Sequence, residues 1–407
     1  MKANRKEFIK ITGLGLGGFL FNPSLSEAFT TSNDIGGFCL KRGRIFLNNG
    51  TMGPSPKVVS KAIKDRMDYV NETASYGGLE SATLARVAKF LGVESDEIAL
   101  THNVTEGINI AAWSIPLKRG DQVLMTGHEH VGGALPWLNR QKIDGIKVKT
   151  FDLQETAAKT LEEVSAAINS KTRVIAVPHI PCTIGQVLPI KEIVELAKSK
   201  NILTVIDGAH PTGMMPLNLR ELGCDIYVSC FHKWLCGPKG TGYMFVSNGI
   251  RQILKPMFVG AHSADWKLDK KQMELTHYVE SAHQYFYGTQ NTALYAGIIA
   301  AMDFQDEIGR DKIYAHGKSL ANYFKEYLLS NAKTYDLLTP QEEQSSACII
   351  SFKFGEKGKM LTSYLRKNNI VTRFVAESDL FCNRISFHMY NSKAQVDELI
   401  KHMEEFH

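Results

Sequence analysis

The feature that most constrains this chain is a recurrence. Between about residues 55 and 305, short apolar runs alternate with longer amphipathic stretches. The runs are "EIAL" (97–100), "VLMT" (123–126), "VIAVPHI" (174–180), "ILTVI" (202–206), "IYVSC" (226–230) and "GYMFV" (242–246). They are rich in β-branched residues and show little polar alternation, which reads as strands buried on both faces. Between two of them, "PIKEIVELAKSK" puts Pro189 in a first helical turn and Ile193, Leu196 and Ala197 on one face. Strands separated by helices imply an α/β fold with a mainly parallel sheet covered on both sides.

The tail has a different character. Leu320, Phe324 and Leu328 recur at helical spacing, and "CIISF" (348–352), "IVTRFV" (370–375) and "ISFHM" (385–389) read as strands. A last amphipathic helix runs through "AQVDELIKHMEEF". This predicts a smaller α+β domain over 306–407 behind a large domain over 55–305. Residues 31–54 form an arm, and "NTALYAGIIAAMDF" (291–304) is a helical connector.

The first thirty residues stand apart. "MKANRKEFIKITGLGLGGFLFNPSLSEAF" has a basic start, then an apolar glycine-rich run from Ile11 to Phe21, then a small-residue polar stretch. Eleven apolar residues are too few for a membrane anchor. The layout is that of an export signal and resembles the twin-arginine type, with Lys6 in place of the second arginine. The expectation is therefore a periplasmic or exported protein, with a cytoplasmic one as the alternative.

Net charge is +5 with no dense Lys/Arg run, so nucleic acid is not an expected partner, whereas a small anionic ligand is allowed. Seven scattered cysteines contain no CxxC pair, so neither a zinc site nor a disulfide framework is indicated.

In an open parallel sheet, ligands collect beyond the carboxyl ends of the strands. Asp207 ends one apolar run and Lys233 follows the next, so both are expected at one crevice. A carboxylate and a lysine so placed suit pyridoxal phosphate (PLP). The carboxylate keeps the ring nitrogen protonated and the lysine forms an imine with the aldehyde. Singly, Asp207 also reads as a turn residue and Lys233 as a surface lysine.

"IDGAH" followed by "HKWLCGPKGTGYMFV" resembles the class V aminotransferase family, with its type I PLP-enzyme fold, over roughly residues 44–400. That family includes cysteine desulfurases, kynureninases, isopenicillin N epimerase-like proteins and several carbon–sulfur lyases. The resemblance implies that Lys233 is the Schiff-base lysine, Asp207 the partner of the pyridine nitrogen and His210 the contact of the phenolic oxygen, a position that is often glutamine in desulfurases. It implies phosphate contacts from Val104 and Thr105, at a helix start signalled by Asn103 and Glu106, and from His232. Thr289 would reach the phosphate of a neighbouring subunit, implying a homodimer with shared sites. His130 would stack on the ring, and Arg384 would receive the substrate carboxylate through two parallel donors. Arg373 is either a second anion contact or an exposed strand arginine, and His128 reads as a solvated loop histidine.

Two positions depart from the desulfurase pattern. Cys230 stands for a serine and Cys182 for an asparagine, and both read best as packing residues at strand ends. The stretch 370–381 holds no cysteine, and Cys382, two residues before Arg384, reads as a packed thiol. A desulfurase working through a loop persulfide is thereby disfavoured. "IFLNNGTMGPSP" together with "HKWLCGPKG" is most similar to the isopenicillin N epimerase-like branch. The expected function is a PLP enzyme acting at the amino group or α-carbon of an amino acid or derivative, with aminotransferase or epimerase chemistry first. A carbon–sulfur lyase without the loop cysteine is the alternative, and a non-catalytic binding protein on the same scaffold is the remote one.

Overall fold

The structure, a computed structural model, describes residues 37–406. The export-signal reading lies outside the described residues. Among those described, no helix is long and apolar enough to cross a membrane.

The largest sheet has seven strands. Its strands are β1 (Ile98–Thr101), β2 (Gln122–Thr126), β3 (Lys147–Phe151), β4 (Thr172–Pro178), β5 (Leu203–Asp207), β6 (Ile226–Cys230) and β7 (Gly242–Val246), in the order β1-β7-β6-β5-β4-β2-β3. All six expected runs are strands, and β2, β6 and β7 are buried along their whole length. Successive side chains feed opposite faces. Val123 and Met125 join one apolar cluster with Val205 and Val228, while Leu124 joins the other with Ile206 and Tyr227.

Two features depart from the sequence reading. The edge strand β3, "KVKTF", was missed because Lys147 and Lys149 are exposed and interrupt the apolar pattern, as is common on a protected edge. And β7 is antiparallel to both neighbours. A parallel connection needs a crossover of a dozen or more residues, usually a helix, whereas β6 returns through the tight segment 231–241, which carries Lys233.

The helix Ile190–Ser199 buries Ile193 and Ala197, with Pro189 one residue outside it at the cap. The connector runs from Thr292 to Ile308 and ends at Gly309, where the next helix, Arg310–Ser330, begins. That helix brings Leu320, Phe324 and Leu328 onto a second core with Ile350, Phe352 and Ile385. A four-stranded antiparallel sheet has the order Asp336–Leu337, Ile349–Lys353, Cys382–Ser386, Arg373–Val375. The predicted strand 385–389 thus lies three residues too late, since Phe387 to Met389 have already left the ladder. The predicted strand 370–375 is split. Ile370–Val371 pairs in parallel with Ile45–Phe46 of the arm, and only Arg373–Val375 joins the sheet.

The arm ties the two sheets together. Ser386 N donates to Leu47 O at 2.8 Å, and six residues on Gly53 N donates to His232 O at 2.8 Å. A Cβ at Gly53 would lie 2.0 Å from Lys233 O, so only glycine allows this approach. A hairpin, Ala264–Asp269 with Gln272–Tyr278, is exposed along nearly its whole length and had no counterpart in the sequence reading.

Candidate active site

The ends of β4, β5 and β6 open into a cleft of about 200 Å³. The helix Val104–Ser114 and the helix Val131–Asp144 both start at its rim, and Asn103, Thr105, His130, Asp207, His210 and Lys233 line it. Asp207 and Lys233, separated in sequence, thus line one cleft at the ends of adjacent strands.

Asp207 is buried, and its Oδ1 accepts from Ala209 N at 2.9 Å. Burial raises its pKa, opposed by Lys233 and by the Ala209 N–H. Its Oδ2 accepts from no protein donor among the described residues. The turn bearing Lys233 is held from several sides. Gln305 Nε2 donates to Trp234 O (2.8 Å) and Gly213 O (3.1 Å), and His388 Nε2 lies 2.7 Å from Trp234 O. Gly213 sits at φ +85°, where a Cβ would come within 2.3 Å of Leu235 N. Its substitution is excluded on both backbone and packing grounds.

His210 is buried with Nδ1 3.0 Å from Trp234 Nε1, and its Nε2 has no partner. His130 caps its helix, Nδ1 accepting from Gly132 N at 3.0 Å; burial, then Lys233, lower its pKa. At the other end, Asn103 Oδ1 accepts from Glu106 N (2.9 Å). The Glu106 carboxylate does not return to Asn103 N but accepts from His102 N and Tyr287 OH. This leaves Val104 and Thr105 at a helix start that faces the cleft, a favourable place for an anion. His232 joins them with Nδ1 buried and unpartnered; burial, then Lys233, pull its pKa down to about 4.

Arg384 is completely buried. Its Nη1 donates to Cys182 O (2.8 Å), and Nη2 donates to Asn48 Oδ1 (3.1 Å) and Thr51 Oγ1 (3.0 Å), while Nε is unpartnered. Burial and Arg373 lower its pKa to about 10, so it stays cationic at neutral pH. No carboxylate pairs with it among the described residues. A buried cation without an anion is costly unless a ligand supplies one. Arg373, by contrast, pairs with Glu377 and is partly buried, so it is not the exposed strand arginine of the second reading.

Other expectations resolve as follows. Thr289 is exposed and outside the cleft of its own chain. His128 is not a solvated histidine but half-buried, with Nδ1 3.0 Å from Thr183 Oγ1. Cys230 and Cys182 line the cleft, and burial raises both thiols, Cys230 to about 11. Cys382 is buried in its strand, with its thiol raised to about 11 by burial. Missed altogether were Trp234, Asn48, Thr51 and Glu129. Glu129 Oε1 accepts from Thr126 N and Oγ1, and burial raises its pKa to about 8 with Asp207 adding to the shift. Among the described residues no cluster could hold a metal ion.

These groups fit PLP. The cleft offers an open carboxylate oxygen for a ring nitrogen, an unpartnered imidazole nitrogen, a lysine, and a helix start beside a second unpartnered imidazole for a phosphate.

Comparison with known proteins agrees with this geometry. A family model described as "Aminotransferase class-V" matches residues 78–399. A cysteine desulfurase of Yersinia pseudotuberculosis serotype O:1b is 30% identical over 339 residues, covering 78% of this chain and 80% of that protein. A probable cysteine desulfurase of Halalkalibacterium halodurans is 26% identical over 392 residues, covering 89% and 92%. Among solved structures, the cystine C–S lyase C-DES with its product cysteine persulfide superposes with TM-score 0.79 at 24% identity, over 88% of this chain and 97% of that one. With sheet order, cleft chemistry and sequence match in agreement, this chain belongs to the class-V aminotransferase family of PLP-dependent enzymes.

Proposed function

We propose that this enzyme is a carbon–sulfur lyase acting on cysteine or a cysteine derivative by β-elimination, without a protein persulfide. One observation carries the distinction from a persulfide relay. The segment 376–381 contains no thiol, and Cys382, the cysteine that follows it, is packed inside a sheet with its thiol held protonated. Support for sulfur chemistry, rather than the aminotransferase or epimerase chemistry put first from sequence, comes from the desulfurase names of the relatives.

PLP, when bound, supplies the electron sink that lets a bond at the substrate α-carbon break. In this reading Asp207 Oδ2 holds the proton on the ring nitrogen, and His210 faces the phenolic oxygen. Val104, Thr105 and His232 hold the phosphate. Lys233 Nζ, which lines the cleft, would anchor the cofactor and, when free, would serve as the base for the α-proton. Arg384 would take the substrate carboxylate, replacing the missing counter-charge, and His130, at the helix start on the cleft rim, would pack against the cofactor. For cysteine the balance is cysteine plus water giving pyruvate, ammonia and hydrogen sulfide. The C–S bond breaks and no external oxidant or amino acceptor is needed.

The test is to incubate PLP-loaded protein with cysteine and cystine and to quantify pyruvate, ammonia and alanine. Equimolar pyruvate and ammonia support elimination. Alanine as the product would reject it for a desulfurase, and a strict requirement for a keto-acid acceptor would reject it for an aminotransferase.

A further inference from the structure

His210 follows β5 in the segment Ala209–His210–Pro211 and is 2% exposed. Its Nδ1 is 3.0 Å from Nε1 of Trp234, which is itself fully buried. An indole N–H can only donate. Nδ1 must then hold its lone pair towards Trp234, and in a neutral ring the proton sits on Nε2. The ring is neutral because burial holds its pKa well below the usual histidine value. The titratable groups that face it (Lys233, Arg384, His130 and Arg373) all push the same way. Nε2 is buried, has no protein partner, and belongs to a residue that lines the cleft.

We propose that Trp234 is a positioning residue: its indole N–H locks His210 in the Nε2–H form, so that the cleft presents a fixed donor to the phenolic oxygen of the bound cofactor. The role of that donor rests on the PLP reading above; the lock itself does not. The indole is held as firmly as the ring it orients. Trp234 directly follows Lys233, and its carbonyl is gripped by Gln305 Nε2 and His388 Nε2. One rigid turn thereby sets both the lysine and the tautomer. The device answers a chemical ambiguity. A glutamine at this position can always turn an amide N–H towards the oxygen, whereas a histidine nitrogen is donor or acceptor according to its tautomer. A fixed donor draws charge from the phenolate and weakens its hold on the neighbouring imine proton. The visible, proton-dependent transition of the bound cofactor is therefore shifted to lower pH.

Two readouts test this. Protein labelled with ¹⁵N-histidine is compared by NMR with and without PLP, the His210 signals being identified by their loss in His210→Gln. The expected spectrum has an unprotonated Nδ1 and a protonated Nε2. The opposite assignment, or averaged shifts, would overturn the lock, and this measurement needs no variant of Trp234. In the loaded protein, Trp234→Phe is expected to average the His210 shifts and to raise the midpoint of the visible transition by about one pH unit, a tenfold gain in proton affinity. An unmoved midpoint in a folded Trp234→Phe protein would refute the lock's effect on the cofactor. Failure of the parent protein to bind PLP would instead remove the cofactor reading and the donor's role, while the ¹⁵N spectrum would still decide the tautomer.

Discussion

Replacing Arg384 by lysine is the sharpest single perturbation of the substrate site. The guanidinium is spread over Cys182 O, Asn48 Oδ1 and Thr51 Oγ1, with Nε left over. Lysine keeps the charge but loses the planar fork, so it cannot offer a carboxylate two parallel donors. A hydrogen bond to a charged group contributes about 1.5–3 kcal/mol. Loss of one such bond, softened by the retained charge, is expected to cost about 2 kcal/mol, or roughly 30-fold in kcat/KM. The fall should lie mainly in KM, because the carboxylate is held in the ground state and the transition state alike. Steady-state release of sulfide from cysteine measures it. Cysteamine, which lacks the carboxylate, is the control. The parent should discriminate strongly between the two, and Arg384→Lys should narrow the gap by the same roughly 30-fold factor. An unchanged KM for cysteine, with unchanged discrimination, would refute the assignment of Arg384 to the carboxylate.

Three further outcomes follow from the packing. Gly213→Ala meets both a left-handed backbone, at about 1–2 kcal/mol, and the backbone of Leu235 within 2.5 Å; a fall in Tm of several degrees and loss of bound cofactor are expected by thermal denaturation and absorbance. Cys382→Ala should retain sulfide release within about twofold and lose about 1 kcal/mol of stability, whereas abolished turnover would restore a nucleophilic role. Glu129 has its folded pKa raised to about 8 by burial, so its favourable protonated state is fully present below its unfolded value and lost as pH rises towards 8. Glu129→Gln should therefore match the parent near pH 4.5 and exceed it in Tm at pH 8; a difference independent of pH would contradict this.

The strands and the two central residues were legible because each carries a local signature. Runs such as "VLMT" and "IYVSC" could only be fully buried, and Asp207 and Lys233 sit at the ends of such runs. What escaped was set by tertiary contact. The edge strand Lys147–Phe151 has no apolar run to see. The antiparallel return of β7 depends on the missing crossover helix, which a reading by alternation does not register. Asn48 and Thr51 reach Arg384 from more than three hundred residues away, across the arm. Trp234 adjoins the lysine in sequence, yet only the fold turns its indole onto His210. Glu129 looks like a solvated loop carboxylate until the helix start of Val131–Asp144 folds it inward beside Asp207.

The central claim, that Lys233 carries the cofactor and the cleft eliminates sulfur without a protein thiol, is tested most directly on one sample. PLP-loaded protein is given cystine, the products are quantified, and the protein is divided: one portion is alkylated and mapped by mass spectrometry for persulfides, the other is reduced with borohydride and mapped for pyridoxyl adducts. The account predicts pyruvate and ammonia, a low-molecular-weight persulfide, and a single pyridoxyl adduct on Lys233. Alanine with a persulfide on a protein cysteine, or an adduct elsewhere than Lys233, would contradict it.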